Sequence, residues 1–270
     1  MMRPIAQLPM YDFPEVREAT AALWAAIASR LRSLGLSEVP DSLANGTTHH
    51  QSWRHPRLLI GQSCGYPALT TFRAHLRIIA RPVYAAPGCI GDTHCSFILV
   101  GATSPAEALA DLRGSRFALN SRDSNTGMNL PRLAFAPLAA GRRFFSAIIE
   151  TGSHAESLVR VAAGTADAAA VDCVSYALLA RHRPALAVAT RILARTASSP
   201  TLPFVTARGT DGAADPILRL SLVEALADPA LQWVRDALFL AAAIPASEAD
   251  YHILLQYRDA ARQIGYPRLA

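Results

Sequence analysis

Charge is scarce in this chain. Of its 270 residues only 17% are Asp, Glu, Lys or Arg, against 51% hydrophobic. That balance excludes a disordered polyelectrolyte and supplies enough apolar surface for one large core or two medium ones. Neither GxGxxG nor GxxxxGK[ST] occurs, so nucleotide binding through a glycine-rich loop has no support. Cysteine is limited to Cys64, Cys89, Cys95 and Cys173 with no CxxC pair, which removes the spacing of a structural zinc site. Cys64 and Cys89 each follow an apolar run in a turn; a disulfide between them is open in an oxidising compartment, and four buried or loop thiols is the plainer reading. No apolar stretch reaches the length of a membrane span, and no repeat of 20 to 50 residues is present.

The net charge is +5 and the pI about 9.3, compatible with anionic partners. Arginine is scattered rather than interleaved with aromatics, which argues against nucleic acid. Met1-Met2-Arg3-Pro4 runs directly into Ile5–Met10, a first-strand pattern, with no h-region or cleavage site between them. As written the chain is expected in the cytoplasm, and in the periplasm if its start lies upstream.

Short apolar runs alternate with helical patterns. Strands are expected at 5–10, 58–61, 77–84, 96–101, 117–119, 168–171, 191–196 and 202–207. Helices are expected at 15–34, 68–76, 105–112, from Ser124, at 155–163 and at 173–182, with a helical pattern from Pro216 to the end broken near Pro229 and Pro245. The stretch 39–56 reads as polar and turn-rich. Strands alternating with helices predict parallel α/β sheets. Residues 91–196 form a complete α/β unit, and 1–90 with 197–270 form the other lobe, so the chain crosses twice, near 85–95 and 195–203. Ligands of such folds sit at strand C-termini and helix N-termini.

Three polar turns occupy such places. Asn120-Ser121-Arg122-Asp123-Ser124-Asn125-Thr126-Gly127 lies between a buried strand and a helix. The first N–H groups of a helix have no internal partner and attract an oxyanion, which hydroxyls of Ser124 and Thr126 would also bind. Thr151-Gly152-Ser153-His154 repeats the arrangement, with Ser153 and His154 at a second helix start. Ala168–Asp172 ends a buried strand on an acid that can accept from a ligand amine or hydroxyl. An ordinary N-cap accounts for each turn equally well. Gln62 in the turn Gly61–Pro67, Tyr11 and Tyr84 also stand at strand ends. A thiol–imidazole pair of Cys64 or Cys173 with His154 lacks any surrounding nucleophile signature, and His49, His50 and His55 lie in a polar loop rather than in a metal-ligand pattern.

The order and spacing of Asp111–Leu119, Ser124–Gly127, Thr151–His154 and Asp167–Asp172 resemble the PhnD-like phosphate/phosphite/phosphonate substrate-binding proteins of ABC transporters. The resemblance implies an α/β, two-lobe Venus-flytrap architecture of the type 2 periplasmic-binding fold with a discontinuous first lobe. It implies an oxyanion held in the interlobe cleft, closure about a hinge, no cofactor, no metal, and an ABC permease as partner. It places Ser124, Asn125, Thr126 and Gly127 at the phosphonate-binding helix start, His154 at the oxyanion, Asp172 near the ligand's other end, and Tyr11 and Tyr84 at the cleft. Two other readings use the same fold: an enzyme with Asp172 and His154 as acid and base, and a cytosolic ligand sensor.

Overall fold

The computed structural model describes residues 2–270. In chain order the strands are β1 (Ile5–Gln7), β2 (Leu58–Gln62), β3 (Leu76–Tyr84), β4 (Thr93–His94), β5 (Ser96–Gly101), β6 (Arg116–Leu119), β7 (Ala147–Glu150), β8 (Ala168–Asp172), β9 (Thr190–Arg195), β10 (Ser199–Pro200), β11 (Phe204–Ala207) and β12 (Leu240–Pro245). The helices are α1 (Arg17–Ser33), α2 (His49–Trp53), α3 (Gly65–Leu69), α4 (Leu130–Ala139), α5 (His154–Ala162), α6 (Cys173–His182), α7 (Pro184–Val188), α8 (Asp215–Ala227), α9 (Gln232–Leu238) and α10 (Ile253–Gln263).

Two compact units share these elements. The first runs to Ala85 and takes in Ile90–Asp92 and Pro200–Tyr251. Its five-stranded sheet has the order β1-β2-β11-β3-β12. α1 buries Ala19, Leu23, Ile27 and Leu31, a face repeating every fourth residue, and packs on α8. The second unit comprises Ala86–Cys89, Thr93–Ser199 and His252–Ala270, with a sheet ordered β7-β6-β8-β5-β9. Its central strand β8, Ala-Ala-Ala-Val-Asp, is buried at all five positions, and small side chains let α5 and the 125–129 turn approach it.

The sheets are mixed rather than parallel. β1 runs parallel to β2, but β11 and β12 run antiparallel to their neighbours. In the second unit β6 is parallel to β7 and β8, and β5 is antiparallel to β8 and β9. Strand β12 falls in a stretch expected to be helical. Its Leu-Ala-Ala-Ala-Ile-Pro carries helix-favouring alanines, and pairing with the edge of β3 overrides that propensity (Ala242 opposite Val83). The helix expected over 68–76 instead covers Gly65–Leu69, because Leu76 already belongs to β3. Only a 3-10 turn, Leu109–Leu112, stands where a helix was expected over 105–112.

Inside the polar stretch 39–56 a capping box starts α2. Gln51 N–H donates to Thr48 Oγ1 at 3.2 Å and Thr48 N–H donates to Gln51 Oε1 at 2.9 Å. His252–Ala270 count with the second unit, whereas the sequence grouped them with the first. Asn129 Nδ2 donates to the Leu254 carbonyl at 3.0 Å, and Phe144 N–H to the Ala270 carbonyl at 2.7 Å.

The second unit's core centres on Phe117, Phe135, Phe144 and Phe145, with ring centroids 4.6 to 5.7 Å apart. Phe135→Ala is expected to lower stability by about 3–5 kcal/mol through lost burial and the resulting cavity. Urea denaturation followed by near-UV circular dichroism measures it, and a loss under about 1 kcal/mol would contradict this packing.

Candidate functional site

The polar turns of the second unit converge on one end of its sheet. Ser96, the first residue of β5, is the ladder partner of Asp172, the last of β8. Ser96 Oγ donates to the Thr126 carbonyl at 2.7 Å, which seats the 124–127 turn over that end. Ser124 is extended (φ −68°, ψ 138°) and caps the helix: Gly127 N–H donates to its Oγ at 2.9 Å. Asn125–Asn129 then make one π-helical turn that runs into α4. Position 127 has no room for a side chain as it stands, since a Cβ there would lie 1.8 Å from Asn120 Oδ1.

His154 opens α5, and Ser153 caps it by accepting from Glu156 N–H at 3.0 Å. His154 Nε2 lies 3.0 Å from Thr126 Oγ1, so the two helix openings meet through these side chains. Burial pushes the His154 imidazole below its usual range, with Asp172 and the Ala170 carbonyl only partly opposing it. The ring is therefore neutral at neutral pH and donates through one nitrogen.

Asp172 is 1% exposed and His94 is fully buried. Asp172 Oδ1 accepts from Val174 N–H at 2.9 Å and Ser175 N–H at 3.0 Å, capping α6. Its Oδ2 stands 2.9 Å from His94 Nδ1. Burial alone would raise the Asp172 pKa, but its interaction with His94, aided by His154 and the Ser175 N–H, holds it below the usual carboxylate value. His94 Nδ1 and Asp172 Oδ2 lie within ion-pair distance but out of line for a hydrogen bond, and His94 Nε2 and Asn120 Oδ1 are also buried without a hydrogen-bond partner. Each such atom costs about 1–3 kcal/mol if left unmatched, and several of them gather at this one sheet end.

The other expected residues have different surroundings. Asn125 is engaged at both ends of its amide: Nδ2 donates to Ser199 Oγ at 3.0 Å, and Oδ1 accepts from Asn129 Nδ2 at 3.1 Å. Ser153 is exposed, with its Oγ engaged as a cap. Tyr11, Gln62 and Tyr84 form a separate group in the first unit. Gln62 Nε2 donates to Tyr84 Oη at 3.0 Å, and the two tyrosine rings meet edge to face at 5.3 Å. They line a cavity of about 20 Å³ among Leu8, Met10 and Phe204, large enough for one water.

Among the described residues no disulfide forms. The Cys64–Cys89 disulfide that the sequence left open is absent: Cys64 belongs to the first unit, while Cys89 in the second has Cys173 Sγ 3.6 Å away. At Cys173 a hydrogen bond with Cys89 and burial, only partly opposed by Cys95, push the thiol above its usual range, which disfavours the thiolate a thiol–imidazole pair needs. His49 and His50 stack on Trp53 at 4.9 and 5.3 Å, and no group of ligands suited to a metal ion occurs among the described residues. Sequence reasoning missed His94 and Ser96, and included Asn120 only as the start of the polar turn. Ser96 stood at the edge of a recognised strand; nothing local marks His94.

The model of the phosphonate family of ABC-transporter periplasmic substrate-binding proteins matches residues 5–251. No curated protein matches the chain in sequence. Solved structures share the fold at low identity. A binding component of an ABC phosphonate transporter from Pseudomonas aeruginosa is 17% identical, with a TM-score of 0.76 over 97% of this chain and 88% of the other. PhnD1 of Prochlorococcus marinus, solved with methylphosphonate, is 13% identical, with a TM-score of 0.74 over 97% and 98%. A Xanthomonas citri protein bound to ATP is 19% identical, with a TM-score of 0.69 over 97% of each chain.

Replacing Asp172 removes the cap of α6 and the carboxylate that faces His94. Asp172→Ala is expected to cost about 1–3 kcal/mol at neutral pH. A carboxylate whose folded pKa is lowered stabilises above its unfolded value, 3.8, and loses that contribution as pH falls through the folded one. The deficit should therefore hold from pH 7 to about pH 4 and shrink below. Urea titrations across that range measure it; a deficit that vanishes by pH 6 would show that the pair does not stabilise the fold.

Proposed function

The chain belongs to the phosphonate-type periplasmic substrate-binding proteins of ABC transporters, and on that premise we propose that its second unit holds the oxyanion group of a small phosphonate- or phosphate-like ligand at Thr126 and His154. One observation carries this reading: two helix openings meet at the 3.0 Å contact of Thr126 Oγ1 with His154 Nε2, beside buried polar atoms that lack partners. Both helices direct N–H groups and positive dipole ends toward their starts, where an anion is favoured. One proton is shared in the Thr126–His154 contact, so when Nε2–H donates to Thr126 Oγ1 the threonine hydroxyl keeps its own proton to donate to a ligand oxygen. Ser124, whose oxygen accepts from Gly127, retains its own hydroxyl proton to donate. Asn125 and Gly127 shape the turn.

The same geometry favours binding without turnover. A general acid near neutrality needs a raised carboxyl pKa, and Asp172 is held below the usual range. The Cys173 thiol is pushed the other way, above the range that yields a thiolate. The role proposed is therefore delivery of an intact solute to the permease of an importer, in the compartment of the family, the periplasm. No helix among the described residues is long and apolar enough to cross a membrane.

Isothermal titration calorimetry with methylphosphonate, phosphite, inorganic phosphate and a dicarboxylate tests the reading. At least one phosphorus oxyanion is expected to bind with a Kd of about 10 μM or tighter, the dicarboxylate far more weakly. Thr126→Val and His154→Ala should each raise that Kd by about tenfold or more, roughly 1.4 kcal/mol. No heat with any oxyanion, or full affinity in both variants, would overturn it.

A further inference from the structure

Three of the four cysteines gather in the second unit, and the oxyanion reading gives them no role. Cys89 Sγ and Cys173 Sγ lie 3.6 Å apart, although the two residues are 84 positions apart in the chain. Backbone geometry holds both in place. Cys89 ends the segment Ala86–Cys89, and its N–H donates to the Ala86 carbonyl at 3.0 Å. Gly88 beside it has φ +97°, and a Cβ there would lie 2.8 Å from Cys173 Cβ and 2.8 Å from Phe97 Cζ. Glycine thus lets this segment lie directly against the start of α6. Cys173 N–H donates to the Cys95 carbonyl at 3.0 Å, and Cys95 Sγ is turned to the Gly88 carbonyl at 3.5 Å. Cys95 and Cys173 are buried; Cys89 is the one of the three that reaches the surface.

From this geometry we propose that Cys89 and Cys173 are a redox pair, joined as a disulfide by exchange with an external disulfide that enters at Cys89. The Cys89 thiolate attacks one sulfur of that disulfide, whose S–S bond breaks and releases one thiolate. In the mixed disulfide Cys89 no longer makes the thiol–thiol hydrogen bond that is the main cause of the raised Cys173 pKa. Cys173 gives its proton to the released thiolate and attacks Cys89 Sγ, and the second external thiolate leaves to take up the remaining proton. Two thiols of the chain are oxidised by two electrons, and one external disulfide is reduced to two thiols. Cys95 stays a thiol at the Gly88 carbonyl. The bond anchors Ala86–Cys89, flanked in the chain by first-unit residues on both sides, to the first residue of α6. It spans 84 positions, so it restricts the unfolded chain strongly, and it persists in an oxidising compartment. The inference is independent of the oxyanion site.

The test incubates the folded full chain with oxidised glutathione, quenches with acid and titrates thiols after denaturation. The four thiols of the reduced chain should fall to two. A protease that cuts before aspartate separates Cys89 from Cys95 at Asp92. Mass spectrometry without reductant should then find the Cys89 and Cys173 peptides joined, with Cys64 and Cys95 free. Cys95→Ser should still form the bond, and Cys89→Ser should keep its three thiols. The thermal midpoint of the oxidised wild type should rise by about 5 °C or more over the reduced form. The wild-type peptide map needs no variant, so it decides the matter if a variant does not fold. Four thiols after oxidation, a glutathione adduct that persists on Cys89, or a bond that uses Cys64 or Cys95 overturns the inference. An unchanged or lower midpoint shows that the native geometry does not accommodate the bond, and overturns it as well.

Discussion

A carboxylate sealed from water organises one end of the second unit. Asp172 closes the central strand, starts α6 and stands against His94. Removing a carboxylate from water is costly, and a buried acid–imidazole pair is seldom a net source of stability over an apolar substitute. What it fixes is position. With His94 at Oδ2 and two N–H groups at Oδ1, the end of β8 has one arrangement relative to β5. Through Ser96 that arrangement determines where the Thr126 turn lies.

The proposed binding chemistry follows from that placement. The turn brings a threonine hydroxyl to a histidine on a neighbouring helix start, and burial keeps the histidine neutral. Neutral donors and helix dipoles hold an anion without a full opposing charge, so such a ligand can be released as well as held. A substrate-binding protein that must hand its cargo to a permease needs that balance, and membership of the family supplies the biological setting.

Much of this was legible in the sequence. Amphipathic spacing located α1, the cap residues marked both polar helix starts, and the pattern Ala168–Asp172 gave the central strand with its terminal acid. What escaped was non-local. Strand β12 is rich in alanine, and only its partner β3 makes it a strand. The C-terminal α10 reads as a continuation of the preceding helices, yet its contacts are with α4 and with Asn129. His94 belongs to a two-residue strand too short for any periodicity, so its meeting with Asp172, 78 positions away by number, had no local signature. Asn125 had the opposite fate: its residue type suggested a ligand contact, and its amide turned out to bridge Ser199 and Asn129.

A crystal structure of the chain grown with methylphosphonate tests the central claim most directly. The account predicts the phosphonate oxygens within hydrogen-bonding distance, about 2.6–3.2 Å, of Thr126 Oγ1 and a His154 ring nitrogen. Phosphonate density elsewhere, with Thr126 and His154 still bonded to each other and untouched by the ligand, would contradict it.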